Sequence, residues 1–177
     1  MAILAFDELL KRSQLKEERL VKSASVYAED KLVFLSYSSL DGKYVPGVVD
    51  FFADHDAPVY VDKKDSQLPD PPSLETAHTL AENIQTCPKL VVLVSPSTKT
   101  SRWVPWELGL AHGTKGVNHV ATLPIGPSST DEAWSEREYL GLYLRIRKGR
   151  TNNVEQWLVR DPRDGKAWGL KYWLHRV

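Results

Sequence analysis

Four short apolar runs set what this chain can fold into: "KLVFLSYS" (31–38), "APVYVDKK" (57–64), "KLVVLVS" (89–95) and "NHVATLPIG" (118–126). Each is near-continuous rather than alternating, the pattern of a strand buried on both faces. Stretches with helical spacing separate them. Tyr44, Val48, Val49 and Phe52 share a face in "DGKYVPGVVDFFADHD", where Pro46 fits only a first turn. Leu74, Ala77, Leu80, Ala81 and Ile84 form a stripe in "LETAHTLAENIQTC", and Ser73 precedes it as an N-cap. "PSTKTSRWVPWELGLAHG" reads as a loop and then a helix ending at Gly113. The proline-rich "DSQLPDPPS" is a loop without glycine.

The rhythm is β-α-β-α-β-α-β. It requires right-handed crossovers and a parallel sheet covered by helices. The expected class is α/β, a flavodoxin-like parallel sheet with helices on both faces. Residues 31–126 form its core. Residues 1–30 are expected to be a helical extension, since Ile3, Phe6 and Leu10 fall on one helical face from residue 2 to about 28. Residues 127–177 hold the C-terminal part of the fold and an extension. There "DEAWSEREYLGL" suggests a helix, and "YLRIRKG" and "EQWLV" a fifth strand or an added hairpin. The charges of "RIRKGR" suit a solvated edge strand. Trp134, Trp157, Trp168 and Trp173 are expected to anchor the extension.

Charge and composition exclude several classes. Lys+Arg and Asp+Glu are equal at 23 each, so no global field draws the chain to nucleic acid or an anionic membrane. The single cysteine, Cys87, allows no internal disulfide and no cysteine-based zinc site, and a buried thiol is its expected state. The five histidines match no metal spacing. No apolar stretch approaches the roughly 20 residues needed to span a bilayer, and the N-terminus does not read as a signal peptide. A cytoplasmic protein without metal is expected. No phosphate-binding glycine motif follows any strand. A phospho-acceptor domain would need an aspartate where the third strand ends in Ser95-Pro96.

Sheets of this kind bind ligands beyond the carboxyl ends of their strands. "SRWVPWELGLAHG" (101–113) follows the third run. Pro105 places Trp103 and Glu107 near the helix start, and their i, i+4 spacing puts them on one face. Glu107 is then either a carboxylate complementing the helix dipole or a partly desolvated group that does chemistry. Trp106 is expected to pack in the core.

Three motifs in order carry a family resemblance. "VFLSYSSLDG", "VYVDKK" and "IQTCPKLVVLVSPSTKTSRWVPWELGLA" resemble the first strand, second strand, and third strand with following helix of TIR (Toll/interleukin-1 receptor) domains. The match runs from about Lys31 to Gly126. Single-domain chains of this type resemble bacterial TIR NADases of Thoeris-type antiphage systems. The resemblance implies a catalytic role for Glu107, and substrate-binding positions at Tyr37, Ser38, Tyr60, Asp62 and Trp103. It also implies NAD+ as substrate with no further cofactor, self-assembly through TIR–TIR contacts, and a nucleotide product that acts on a separate effector. Val104 replaces the family's usual cysteine, and the loop after the second strand lacks its usual glycine.

The chemistry fits these residue types. Nicotinamide leaves NAD+ without needing a general acid, and positive charge develops on the ribose. A fixed carboxylate stabilises that charge, as in glycosidases, and an indole favours a nearby cation. Water would give ADP-ribose, an internal nucleophile a cyclic product, and another nucleophile a conjugate. Two rivals stand beside this reading: a non-catalytic TIR scaffold, and an enzyme resembling nucleoside 2-deoxyribosyltransferases.

Overall fold

The computed structural model describes residues 2–15, 32–61, 73–130, 138–151 and 153–176. Each of the four apolar runs contains a strand: β2 (Val33–Ser36), β3 (Val59–Val61), β4 (Lys89–Val94) and β5 (Val120–Gly126). All of them pair in parallel. Leu144–Thr151 (β6) pairs in parallel with β5 and supplies the fifth such strand. The order β3-β2-β4-β5-β6 is that of a flavodoxin-like sheet.

Beyond it lie two antiparallel strands, β7 (Val154–Arg160) and β8 (Ala167–Gly169). "YLRIRKG" and "EQWLV" are thus both fifth strand and hairpin. The expectation of an edge strand at "RIRKGR" is corrected, because β7 covers β6 along its length. Arg145 and Arg147 still alternate with the buried Leu144 and Ile146. The turn at "DPRDGK" is held by Asp161, whose carboxylate accepts from the backbone and guanidinium of Arg163. Gly165 takes a φ of 75° there, a conformation open to glycine at little cost.

Among the described residues, five helices cover the sheet. On one face α1 (Phe6–Leu15), α2 (Val45–Ala53) and α5 (Leu170–His175) pack against Val33, Leu35, Val91 and Leu93. On the other, α3 (Leu74–Thr86) and α4 (Trp103–Lys115) pack against Phe34, Leu90 and Val92. Strand alternation assigns these two sets to opposite faces. Pro46 lies in the first turn of α2, and Ser73 caps α3 by accepting from the Thr76 amide. Helix α4 runs past Gly113 to Lys115, and its terminator is Gly116 at φ 76°.

The N-terminus departs from the sequence expectation. Residues 4 and 5 form a short strand, β1 (Leu4–Ala5), parallel to the end of β5. Ala2 bridges Lys148 on β6. The segment therefore fills the gap where β5 and β6 diverge, and α1 begins only at Phe6. Helix α1 meets α2 at backbone distance, since a Cβ on Gly47 would stand 2.2 Å from the Leu9 carbonyl oxygen. Phe6 stacks on Tyr44 with centroids 4.6 Å apart, and Arg12 bonds Asp50 and Asp54. The remainder of the expected N-terminal helix, residues 16–28, lies outside the described residues, as do residues 131–137 of the helix expected at "DEAWSEREYLGL". Among the described residues, no helix is long and apolar enough to cross a membrane.

Candidate active site

Helix α4 buries Val104, Glu107, Leu108 and Ala111. These positions are i, i+3, i+4 and i+7, the core-facing stripe of an amphipathic helix. Glu107 is the one charged member of that stripe and is 6% exposed. A buried carboxylate needs hydrogen-bond donors. One is supplied by the last residue of β2: the Ser36 hydroxyl donates to Glu107 Oε2 at 2.5 Å. Ser36 lies in a central strand, so the rigid sheet fixes the carboxylate from below. The start of α4 is set by the Ser101 hydroxyl, which accepts from the Val104 amide.

A second buried acid stands at the same edge. Asp41 follows β2 in a 3-10 turn, 2% exposed. It accepts from the Ser95 hydroxyl at 2.6 Å. Ser95 directly follows β4, and its hydroxyl also accepts from the Ser97 amide. Burial pushes the Asp41 carboxyl above its ordinary pKa, while hydrogen bonds from Ser95 and Ser97 oppose that rise. Thr98 completes the turn by donating to the Leu93 carbonyl and accepting from the Ser95 amide. The N-terminal ends of α2 and α4 lie at this edge, where the helix dipole is positive.

The residues proposed from the sequence fall in different places. Trp103 is half-buried, packs on the α3–α4 layer, and meets Trp106 edge-on at 5.4 Å. Tyr60 shares that layer, stacks on Phe34, and accepts from Asn83 Nδ2 at 2.8 Å. Tyr37 packs instead against the opposite core layer. Ser38 is buried, and its carbonyl accepts from the Asp41 amide. Asp62 lies outside the described residues, as do Lys63, Lys64 and the loop to Pro72. Trp106 is not a core residue: it is 40% exposed. Its position in α4 turns it from the stripe that Val104 and Glu107 occupy.

Sequence reasoning missed Ser36, Asp41 and Ser95. The signal for Ser36 was strand parity. Phe34 and Ser36 share a face, so the serine, not Tyr37, is directed toward the α4 layer. A glutamate on the i, i+3, i+4, i+7 stripe of α4 was the matching signal on the other side.

A sequence model of the TIR domain matches residues 33–158. The chain belongs to the TIR domain family. The match continues through β6 and most of β7, past the motifs that end at Gly126. One curated relative, from Bacillus cereus (strain MSX-D12), bears the name "Probable 3' cyclic ADP-D-ribose synthase ThsB'". It is 39% identical over 134 residues, covering 73% of this chain and 68% of the relative. In this TIR domain, the buried Ser36–Glu107 pair lies at the carboxyl edge, the ligand-binding edge of such sheets.

Proposed function

We propose that this TIR protein cleaves NAD+ at the bond between nicotinamide and ribose, with Glu107 as the catalytic carboxylate. The observation that carries the reading is the buried Glu107 carboxylate on the core-facing stripe of α4, braced by Ser36, at the carboxyl edge of the sheet. In the proposed step the C–N bonding pair leaves with nicotinamide, which becomes neutral. The ribose carbon is left with oxocarbenium character, and the Glu107 carboxylate stabilises it. The product is proposed to be a cyclic ADP-ribose, on the strength of the relative's name. A ribose hydroxyl oxygen of the same molecule then attacks the cationic carbon and loses its proton. Exclusion of water favours this outcome over hydrolysis. The cyclic product is proposed to signal to a separate effector in antiphage defence, and assembly of TIR domains to control the rate.

The test is direct. Purified protein is mixed with NAD+, and nicotinamide release is followed by chromatography, with Glu107→Gln alongside. Release by the wild type, lost in the variant, is expected. The nucleotide product should be lighter than ADP-ribose by one water. Activity that persists in Glu107→Gln overturns the assignment. Base exchange between deoxynucleosides without NAD+ cleavage would favour the transferase instead.

A further inference from the structure

The amino-terminal edge of the sheet, remote from Glu107, contains a cavity of about 170 Å³. Lys89, the first residue of β4, lies at its floor and is only 2% exposed. Its ammonium donates to His119 Nδ1 at 3.1 Å and to the Arg176 carbonyl at 2.7 Å. The Trp173 ring lies 5.3 Å away. None of these partners is anionic. An ammonium has three N–H donors, so one has no acceptor among the described residues. The charges that act on Lys89, from Arg176 and Lys115, are both positive. Burial, reinforced by these cations, holds its pKa down to about 8. His119, likewise desolvated and beside Lys89, is pushed down and stays neutral. A neighbouring cavity of about 290 Å³ shares His119 and Arg176 and adds Lys115 and His175.

A buried cation with no anion beside it among the described residues is costly unless something compensates for it. Such a cation in a cavity with room for a small molecule is what an anion site provides. The walls narrow the ligand further. Trp168, Trp173 and Leu144 line the same space, and Trp173 is fixed by donating from Nε1 to the Asn118 carbonyl. A bare inorganic ion would leave those apolar surfaces unused.

We propose that this cavity binds a small organic anion, whose acidic group is held by Lys89 and Arg176 and whose planar body packs against Trp168 and Trp173. The site is separate from the carboxyl edge. It stands across the full length of β4, about 20 Å for a strand of this size.

Phenyl phosphate, inorganic phosphate and phenol are titrated into the full chain by calorimetry. Phenyl phosphate should bind at least tenfold more tightly than either fragment. Lys89→Met and Arg176→Gln should each weaken it at least tenfold. The Arg176 side chain is exposed, so that variant reports even if Lys89→Met fails to fold. Glu107→Gln should bind as the wild type does, which separates this site from the NAD+ reading. Equal binding of phenyl phosphate and inorganic phosphate would overturn the proposal. So would binding indifferent to Arg176→Gln, no heat at millimolar probe, or loss of binding in Glu107→Gln.

Discussion

The two ends of one sheet bury opposite charges. At the carboxyl edge Glu107 and Asp41 are held by serine hydroxyls from β2 and from the end of β4. At the amino edge Lys89 is held by a neutral imidazole and a carbonyl. A parallel sheet with crossover helices explains the division. Helix N-termini gather at the carboxyl edge and helix C-termini at the amino edge, so the dipoles favour acids at one and bases at the other. Lys115 illustrates the second case, donating to the Gln85 carbonyl in the last turn of α3. The topology thus prepares a place for each sign of buried charge, and the sequence determines which place becomes a site.

Variants at each edge can break that comparison. The largest effect is expected from Glu107→Gln, which keeps shape and removes charge. Nicotinamide release should fall at least about a hundredfold, as when one preorganised electrostatic group is lost, with the fold intact by circular dichroism. Ser36→Ala should follow. A hydrogen bond to a charged group contributes about 1.5–3 kcal/mol, so kcat should fall at least about tenfold while KM changes little. A change confined to KM would show that Ser36 acts on binding and not on the carboxylate.

Smaller effects concern stability against pH, read from urea midpoints. The folded state raises the Asp41 pKa, so it binds that proton more tightly than the unfolded chain does. The contribution of Asp41 is therefore greatest in acid, and stability is lost as pH rises through the raised value. Asp41→Asn should abolish that loss. Lys89 behaves in the opposite sense, because folding lowers its pKa from 10.5 to about 8. Between those values the unfolded chain binds more protons, so stability rises with pH across that window. Lys89→Met should flatten the alkaline rise relative to the wild type. A variant that left both limbs unchanged would show that the two edges do not bury charge as described.

Much of this was legible in the residues. Near-continuous apolar runs mark strands buried on both faces, and β2 to β5 lie within the four expected runs. Pro46 and Ser73 carry local geometry that tertiary contacts did not override. Other elements depend on partners far along the chain. The two residues of β1 are too few to show alternation, and Ile3, Phe6 and Leu10 imitate a helical face. Whether β6 was an edge depended on β7 and β8. At the candidate site, Glu107 was visible because it interrupts an apolar stripe. Ser36 was hidden beside the more conspicuous Tyr37. The amino-edge cavity had no local signature, since it joins Lys89, the residues before β5 and the last helix.

The short strand β1 also bears on how the chain is made. Leu4 and Ala5 pair with Ile125 and Gly126, and Ala2 with Lys148. During synthesis, these residues must wait for partners made more than a hundred residues later. At typical translation rates that delay is on the order of ten seconds. A segment made before the rest of the sheet is thus among the last to find its place, and contacts of such long range slow folding.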